Sequence, residues 1–539
     1  MDDRGVAHHE VLVVGAGFAG LYLLHRLRGL GFDTHVLEMA DDVGGTWYWN
    51  AYPGARCDVE SVDYSYTFSP ELDQEWVWTE RYAGQREILS YVRHVADRLD
   101  LRRDVEFGVA VTGAVWDEGD ATWSVTARGH ADGVARTLTC RYLVMATGAL
   151  SVANEPSLPG REAFAGRIVH TARWPHEGID VTGLRVGVIG TGSSGIQSIP
   201  VLARQAAHLT VFQRHPQFTV PAFNGALAPE TLAEVKSGYP DRREAMRKTS
   251  FGVVLPIPEK KALEVDEETR QTVYERGWQR GSLNGVIGAF KDLIFNREAN
   301  ETAAQFVREK IRSIVADPDL AEALCPDEPF GGRRLCLDTG FYETFNRDNV
   351  SLVDLRKDPL VRLTADGVET ESGHHRLDLL VLATGFDAMT GALTAIDPVG
   401  VDGVPLRATW ADGAHAYLGL MVAGYPNLFT VTGPGSPSVF ANMIVAIEQH
   451  GNWIGDCLVR LRDHGLRRIE ADVDAERAWM IHVDEVARPR LRYKTNSWYS
   501  GANIEGKPRV FLPYAGGLNV YGEKIDAVAA NGYEGFHLS

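Results

Sequence analysis

Short, almost wholly apolar runs punctuate this chain, and four of them organise it. VLVV (11–14) and RVGVI (185–189) each run into a glycine-spaced turn that opens a helix. YLVMATGA (142–149) and LLVLATGFD (379–387) are near copies of each other, and both close on Thr-Gly. Continuous apolar runs of this length fit parallel strands buried on both faces. A strand ending on small residues suits a backbone that must approach a flat ligand or another strand closely. One copy per unit predicts two related βαβ-type units. The stretch 149–183 is punctuated by Pro and Gly and reads as a linker. From 221 to 330 the texture turns charged and helical, as in PETLAEVKSGY, DEETRQTVYERGWQRG and ANETAAQFVREKIRSIVADPDLAEAL.

The expected fold class is therefore α/β, with two dinucleotide-binding (Rossmann-like) domains and a helical insertion. Residues 1–148 form the first part of one domain. Residues 149–220 hold the linker and the start of the second, 221–330 the insertion, 331–385 the rest of the second, and 386–539 the return to the first. A chain that crosses twice between units leaves a cleft, the usual place for a ligand.

The turns after the first and third runs carry the chemistry. Gly15, Gly17 and Gly20 form one G-x-G-x-x-G, and Gly190, Gly192 and Gly195 form another. Glycines there allow a tight turn and a close approach to a pyrophosphate at the helix N-terminus. At the same offset beyond each cradle the signs differ. The first offset falls on Glu38, the second on Gln213 followed by Arg214. An acid accepts from a ribose 2′-hydroxyl and repels a 2′-phosphate, and an Arg does the reverse. The first site reads as FAD or NAD, the second as NADP.

Composition removes some classes. A formal net charge of −18 on 539 residues argues against nucleic acid or an anionic membrane as the main partner. The five cysteines show no C-x-x-C and no metal-ligand spacing, which fits reduced thiols in the cytoplasm and no metal site. MDDRGVAHH lacks the pattern of a signal peptide, and no apolar stretch is long enough for a membrane helix.

Between the cradles lies Phe164-Ala-Gly166-Arg-Ile-Val-His170-Thr-Ala-Arg-Trp174. Phe-x-Gly-x-x-x-His-x-x-x-Trp just before a second cradle resembles the fingerprint of type I Baeyer–Villiger monooxygenases. His170 and Trp174 also fit a plain role as anchors of a linker. The resemblance extends through GGTWYWNAYPGARCDVES (44–61), GTGSSGIQ (190–197), RRLCLDTGFYETFNRDN (333–349), ATGFDAMTG (383–391), GPGSPSVFANM (433–443) and NSWYSGANIEGKPR (496–509). It is nearest the cyclohexanone, phenylacetone and steroid monooxygenase branch. It implies FAD, reduction by NADPH, dioxygen, and a peroxyflavin that converts a cyclic or bulky ketone into an ester or lactone. Oxygenases of nitrogen and sulfur are similar but usually close the fingerprint with Phe or Tyr. A disulfide reductase would need a cysteine pair, and Cys57 stands alone near the first cradle. A redox sensor without catalysis would have lost the catalytic groups.

Carried onto this chain, the resemblance makes Arg334 the fixed positive charge beside the flavin and Asp58 the acid that orients it. Thr46, Trp47 and Tyr64 join the FAD site. Thr191, Ser193, Ser194 and Gln197 line the second cradle, and Arg333 joins Arg214 on the 2′-phosphate. His215 stands where relatives often carry a small hydroxyl residue. Trp498 is placed against the nicotinamide ribose, and Phe440 and Met443 against the substrate. A monomer or weak dimer is expected.

Overall fold

The computed structural model describes residues 6–539. The N-terminal reading begins in residues 1–5, which lie outside the described residues. The first sheet runs Val105–Phe107, Thr34–Glu38, Ala7–Val14, Ala135–Met145, all parallel. Ala135–Met145 has two different neighbours along its other edge. Its first half pairs antiparallel with Thr122–Gly129, which continues into Val109–Asp117. Its second half pairs in parallel with Leu428–Thr430, through Leu428 beside Leu143 and Thr430 beside Met145. The late chain thus returns to complete the first sheet. Its long helix Met443–Asp463 packs on Phe18–Gly29, the helix after the first cradle. Gly451 makes that approach possible, because a Cβ there would stand 2.6 Å from the Tyr22 ring.

The second sheet is wholly parallel, in the order Val350–Asp354, His208–Gln213, Arg185–Ile189, Leu379–Leu382, Arg167–His170. The 149–183 stretch, read as a linker, supplies the edge strand Arg167–His170. A parallel pair, Thr219–Pro221 with Cys336–Asp338, closes the neck of the helical segment. Helices Pro229–Arg247, Glu267–Arg280, Arg297–Ile314 and Pro318–Leu324 lie between. Among the described residues no helix is long and apolar enough to cross a membrane.

Polar ties fasten these parts together. Gly54 (φ +83°) lets the first unit touch the second, since a Cβ there would stand 2.1 Å from the Gln197 carbonyl oxygen. Tyr52 donates to Gln197 Oε1 at 2.7 Å, and Gln197 Nε2 donates to the Arg56 carbonyl at 3.0 Å. The helix Pro229–Arg247 is pinned to the first unit by Arg243. Its guanidinium donates to Asp73 (2.5 Å), Ser65 (2.6 Å) and the Val62 carbonyl (3.0 Å). Both charges are almost fully buried. Removing one partner strands the other charge without water. Asp73→Ala is expected to cost about 3–5 kcal/mol, read as a lower denaturation midpoint. An unchanged midpoint would show that Arg243 finds another acceptor.

Candidate active site

The two cradles are built alike, and their geometry explains the repeated Ala-Thr-Gly. Gly15 takes φ +104° and Gly190 φ +107°. A Cβ on Gly15 would stand 2.7 Å from the Ala146 carbonyl oxygen, and one on Gly190 would stand 2.5 Å from that of Ala383. Each Ala-Thr-Gly turn thus presses its backbone against the first glycine of its own cradle. The last glycine closes the turn from the helix side. A Cβ on Gly20 would stand 1.8 Å from the Gly15 carbonyl oxygen, and one on Gly195 2.2 Å from that of Gly190. Both helices start on glycine, at Gly17 and Gly192, with no side chain capping the first amides. Free amides at a helix N-terminus fit a pyrophosphate.

The flanking charges differ as their positions require. Glu38 is buried at the end of its strand and accepts from the amides of Ala16 (2.5 Å) and Ala40 (2.8 Å). Burial raises its pKa, and those amides work against the rise. Trp47 is buried and donates to the Tyr64 hydroxyl at 3.1 Å, while Thr46 is exposed at the start of the same short helix. These residues fit FAD. On the second cradle, Arg214 is exposed and makes no hydrogen bond among the described residues. Arg333 donates to Glu328 at 2.6 Å, but its Nε is buried without an acceptor. Burial lowers the His215 pKa, and the charges of Arg333, Arg214 and Arg356 lower it further. Arg356 escaped the sequence reading because it comes from a separate loop. Thr191 donates to the His215 carbonyl at 2.9 Å, and Ser193 Oγ lies 3.2 Å from Cys336 Sγ. Ser194 sits in the first turn of the helix. Gln197, one turn further along the helix, bonds to Tyr52 and the Arg56 carbonyl in the contact with the first unit. This cluster of guanidiniums fits a 2′-phosphate.

Arg334 and Asp58, 276 positions apart, meet: Arg334 Nε and Nη2 donate to Asp58 Oδ2 at 3.0 and 2.6 Å. Arg334 Nη1 donates to the Val439 carbonyl at 3.0 Å, which ties the pair to the loop carrying Phe440. Burial alone would lower the Arg334 pKa. The Asp58 charge and hydrogen bond, with Tyr499, hold it well above the ordinary arginine value. Phe440 packs edge-on to Tyr499 at 4.7 Å and lies 5.8 Å from Phe511. Trp498 lies 4.4 Å from Tyr499. Met443 departs from this group, starting its helix and packing on the first unit's core. The oxygens Ser438 Oγ and Ser497 Oγ are buried here without a protein partner. Tyr499 was legible beside Trp498, but the Val439 carbonyl has no signature in sequence.

The fingerprint residues are structural ties. Phe164 is buried, and a Cβ on Gly166 would stand 2.5 Å from its ring. His170 sits at the end of the edge strand. Its Nδ1 accepts from Ala172 N at 3.0 Å, and its Nε2 lies 3.2 Å from Thr384 Oγ1. Thr384 in turn donates to the Asn154 carbonyl at 2.6 Å, so His170 clamps the second Ala-Thr-Gly turn to the crossover. Trp174 is buried in the second unit's core. The 496–509 loop joins the same crossing, with Asn503 Nδ2 donating to Phe386 O at 2.7 Å and Lys507 pairing with Asp387. None of the five cysteines is paired.

Two glycine cradles of opposite charge preference and a paired arginine define a flavin- and nicotinamide-dependent oxidoreductase. A family model described as "Pyridine nucleotide-disulphide oxidoreductase" matches residues 9–237. The chain is 41% identical to a Baeyer–Villiger monooxygenase of Pseudooceanicola batsensis, over 98% of this chain and 96% of that protein. It is also 41% identical to phenazine N-monooxygenase PhzNO1 of Lysobacter antibioticus, over 100% and 98%. An oxidised steroid monooxygenase bound to NADP superposes with a TM-score of 0.93 at 50% identity, over 99% of each chain. The chain belongs to the Baeyer–Villiger monooxygenase family.

If Arg214 meets the 2′-phosphate, Arg214→Ala raises KM for NADPH about tenfold or more and leaves NADH nearly unaffected. Steady-state kinetics with both nucleotides check this, and equal effects would place the contact elsewhere.

Proposed function

We propose that Arg334, positioned by Asp58, is the catalytic charge of an enzyme that inserts one atom of dioxygen beside a ketone carbonyl. FAD and NADPH are its cofactors, and the product is an ester or lactone. The observation that carries this is the Arg334 guanidinium, held by Asp58 on one side and the Val439 carbonyl on the other. When bound, reduced FAD supplies the means of activating dioxygen and NADPH the hydride that reduces it. The protein's own part is electrostatic. Arg334 stays charged at any working pH and points a planar set of donors in a fixed direction. A negative oxygen in a half-buried site is unstable unless paired. A unit charge about 4 Å away at an effective dielectric near 20 contributes about 4 kcal/mol, roughly a thousandfold in rate if felt only in the transition state. Asp58 orients Arg334 without neutralising its remaining N–H groups. Phe440, Tyr499 and Phe511 give an aromatic wall suited to a cyclic or bulky ketone. The place of Trp498, 4.4 Å from Tyr499, supports its proposed role against the nicotinamide ribose. Unpaired cysteines support a cytoplasmic setting, and a monomer or weak dimer suits the self-contained site.

Similarity to a phenazine N-monooxygenase favours a second reading, oxygen transfer to an aromatic nitrogen. Incubating FAD-loaded enzyme and NADPH with cyclic, aryl and steroid ketones beside phenazine, with products read by mass, decides between them. Oxygen gained as ester or lactone supports the ketone reading. Oxygen gained by phenazine alone selects the other, and hydrogen peroxide alone overturns both. Arg334→Ala is expected to keep flavin reduction by NADPH while ester formation falls by about a thousandfold. Normal oxygenation by that variant would remove Arg334 from the mechanism.

A further inference from the structure

A second guanidinium stands against the aromatic cluster with nothing assigned to it. Arg492, in the single turn Leu491–Lys494, places its Cζ 4.7 Å from the centre of the Phe440 ring. It is half-buried. Two other arginines share this region, and both have acceptors. Arg334 has Asp58 and the Val439 carbonyl. Arg490 donates to the Val486 carbonyl and lies 5.2 Å from the Phe295 ring. Among the described residues, Arg492 has no carboxylate or carbonyl acceptor, only the ring beneath it.

That arrangement is costly unless something anionic enters. Burial lowers the Arg492 pKa, Tyr499 raises it, and the Arg334 charge lowers it further. A plain apolar pocket for neutral ketones would place an aromatic or aliphatic side chain there. The cation–π contact with Phe440 fixes the guanidinium without using its N–H donors. Those donors form the planar fork that matches a carboxylate in two-point contact.

We propose that Arg492 is a specificity-determining residue that binds the carboxylate of a keto acid substrate, with the ketone carbonyl directed toward Arg334. This rests on the ketone-oxygenating reading above. The reaction at the carbonyl is unchanged, and the carboxylate is only an anchor. An anionic oxygen group on Arg492 could also come from a cofactor phosphate, and the test separates the two sources.

Linear keto acids from levulinate upward are assayed with holoenzyme against their methyl esters. At the best chain length, kcat/KM for the acid exceeds that for the ester. In Arg492→Met, which keeps the stem over Phe440, that ratio falls by about tenfold to a hundredfold. Arg492→Lys, with the charge but no fork, falls between. In the unsubstituted enzyme, hexanoate competes with a neutral ketone and hexanamide does not. A ratio that Arg492→Met leaves unchanged overturns the proposal while ester formation itself leaves the oxygenase reading intact. A raised KM for NADPH with a constant ratio overturns it in favour of a cofactor phosphate. If no ketone gains oxygen, the oxygenase reading fails, and the flavin absorption change on adding hexanoate decides this proposal alone. Its loss in Arg492→Met supports an anion site, and its absence from the unsubstituted enzyme overturns it.

Discussion

Two contacts between backbone and backbone hold this molecule in register. In each unit a glycine of positive φ starts the cradle directly against the carbonyl of an Ala-Thr-Gly turn. No side chain fits between them. The cradle, the strand before it and the strand that closes the unit must therefore sit at fixed distances. The helix N-terminus and its uncapped amides then face one direction in each unit. The rest of the fold decides what those two faces look at.

The two units are tied together at a crossing. His170, Thr384 and Asn154 join there, with the 496–509 loop tied to the same turn through Asn503 and Lys507. Gly54 and Gln197 make a second crossing, again by close backbone approach. Arg334 emerges just before the strand that closes the neck of the helical segment. Its partners come from the first unit, at Asp58, and from the loop before Met443–Asp463, at Val439. A movement of one unit against the other would thus be felt at the guanidinium. That links domain geometry to the placement of one charge, the charge proposed above to act on the developing anion.

Four arginines of this chain illustrate how burial and pairing divide the work. Arg243 is fully paired and buried, and fastens a helix. Arg334 is held by Asp58 through Nε and Nη2 and by the Val439 carbonyl through Nη1, which fixes the direction of its remaining N–H groups. Arg214 is exposed and has no side-chain partner among the described residues, so its donors stay available. Arg492 sits over an aromatic face with its donors unengaged. Side chains of one type take four roles, and the surroundings make the difference.

Much of this was legible in the chain itself. The cradles, the Ala-Thr-Gly copies and the opposite charges of Glu38 and Arg214 are local patterns, set by backbone sterics within a few residues. The helical texture of 221–330 followed from periodicity for the same reason. Tertiary structure alone decided the rest. The linker's strand Arg167–His170 is short and exists only because Leu379–Leu382 lies beside it. Gln197 gained partners in the first unit, Tyr52 and the Arg56 carbonyl, that no local pattern announces. Met443 starts a helix and packs against the first unit's core, a contact between residues far apart in sequence. Val439, Arg356 and Arg492 gained meaning from neighbours distant in sequence. A pattern in sequence reports what the backbone must do locally, whereas a binding site depends on which distant groups share a few ångströms, and that is fixed only when the units pack.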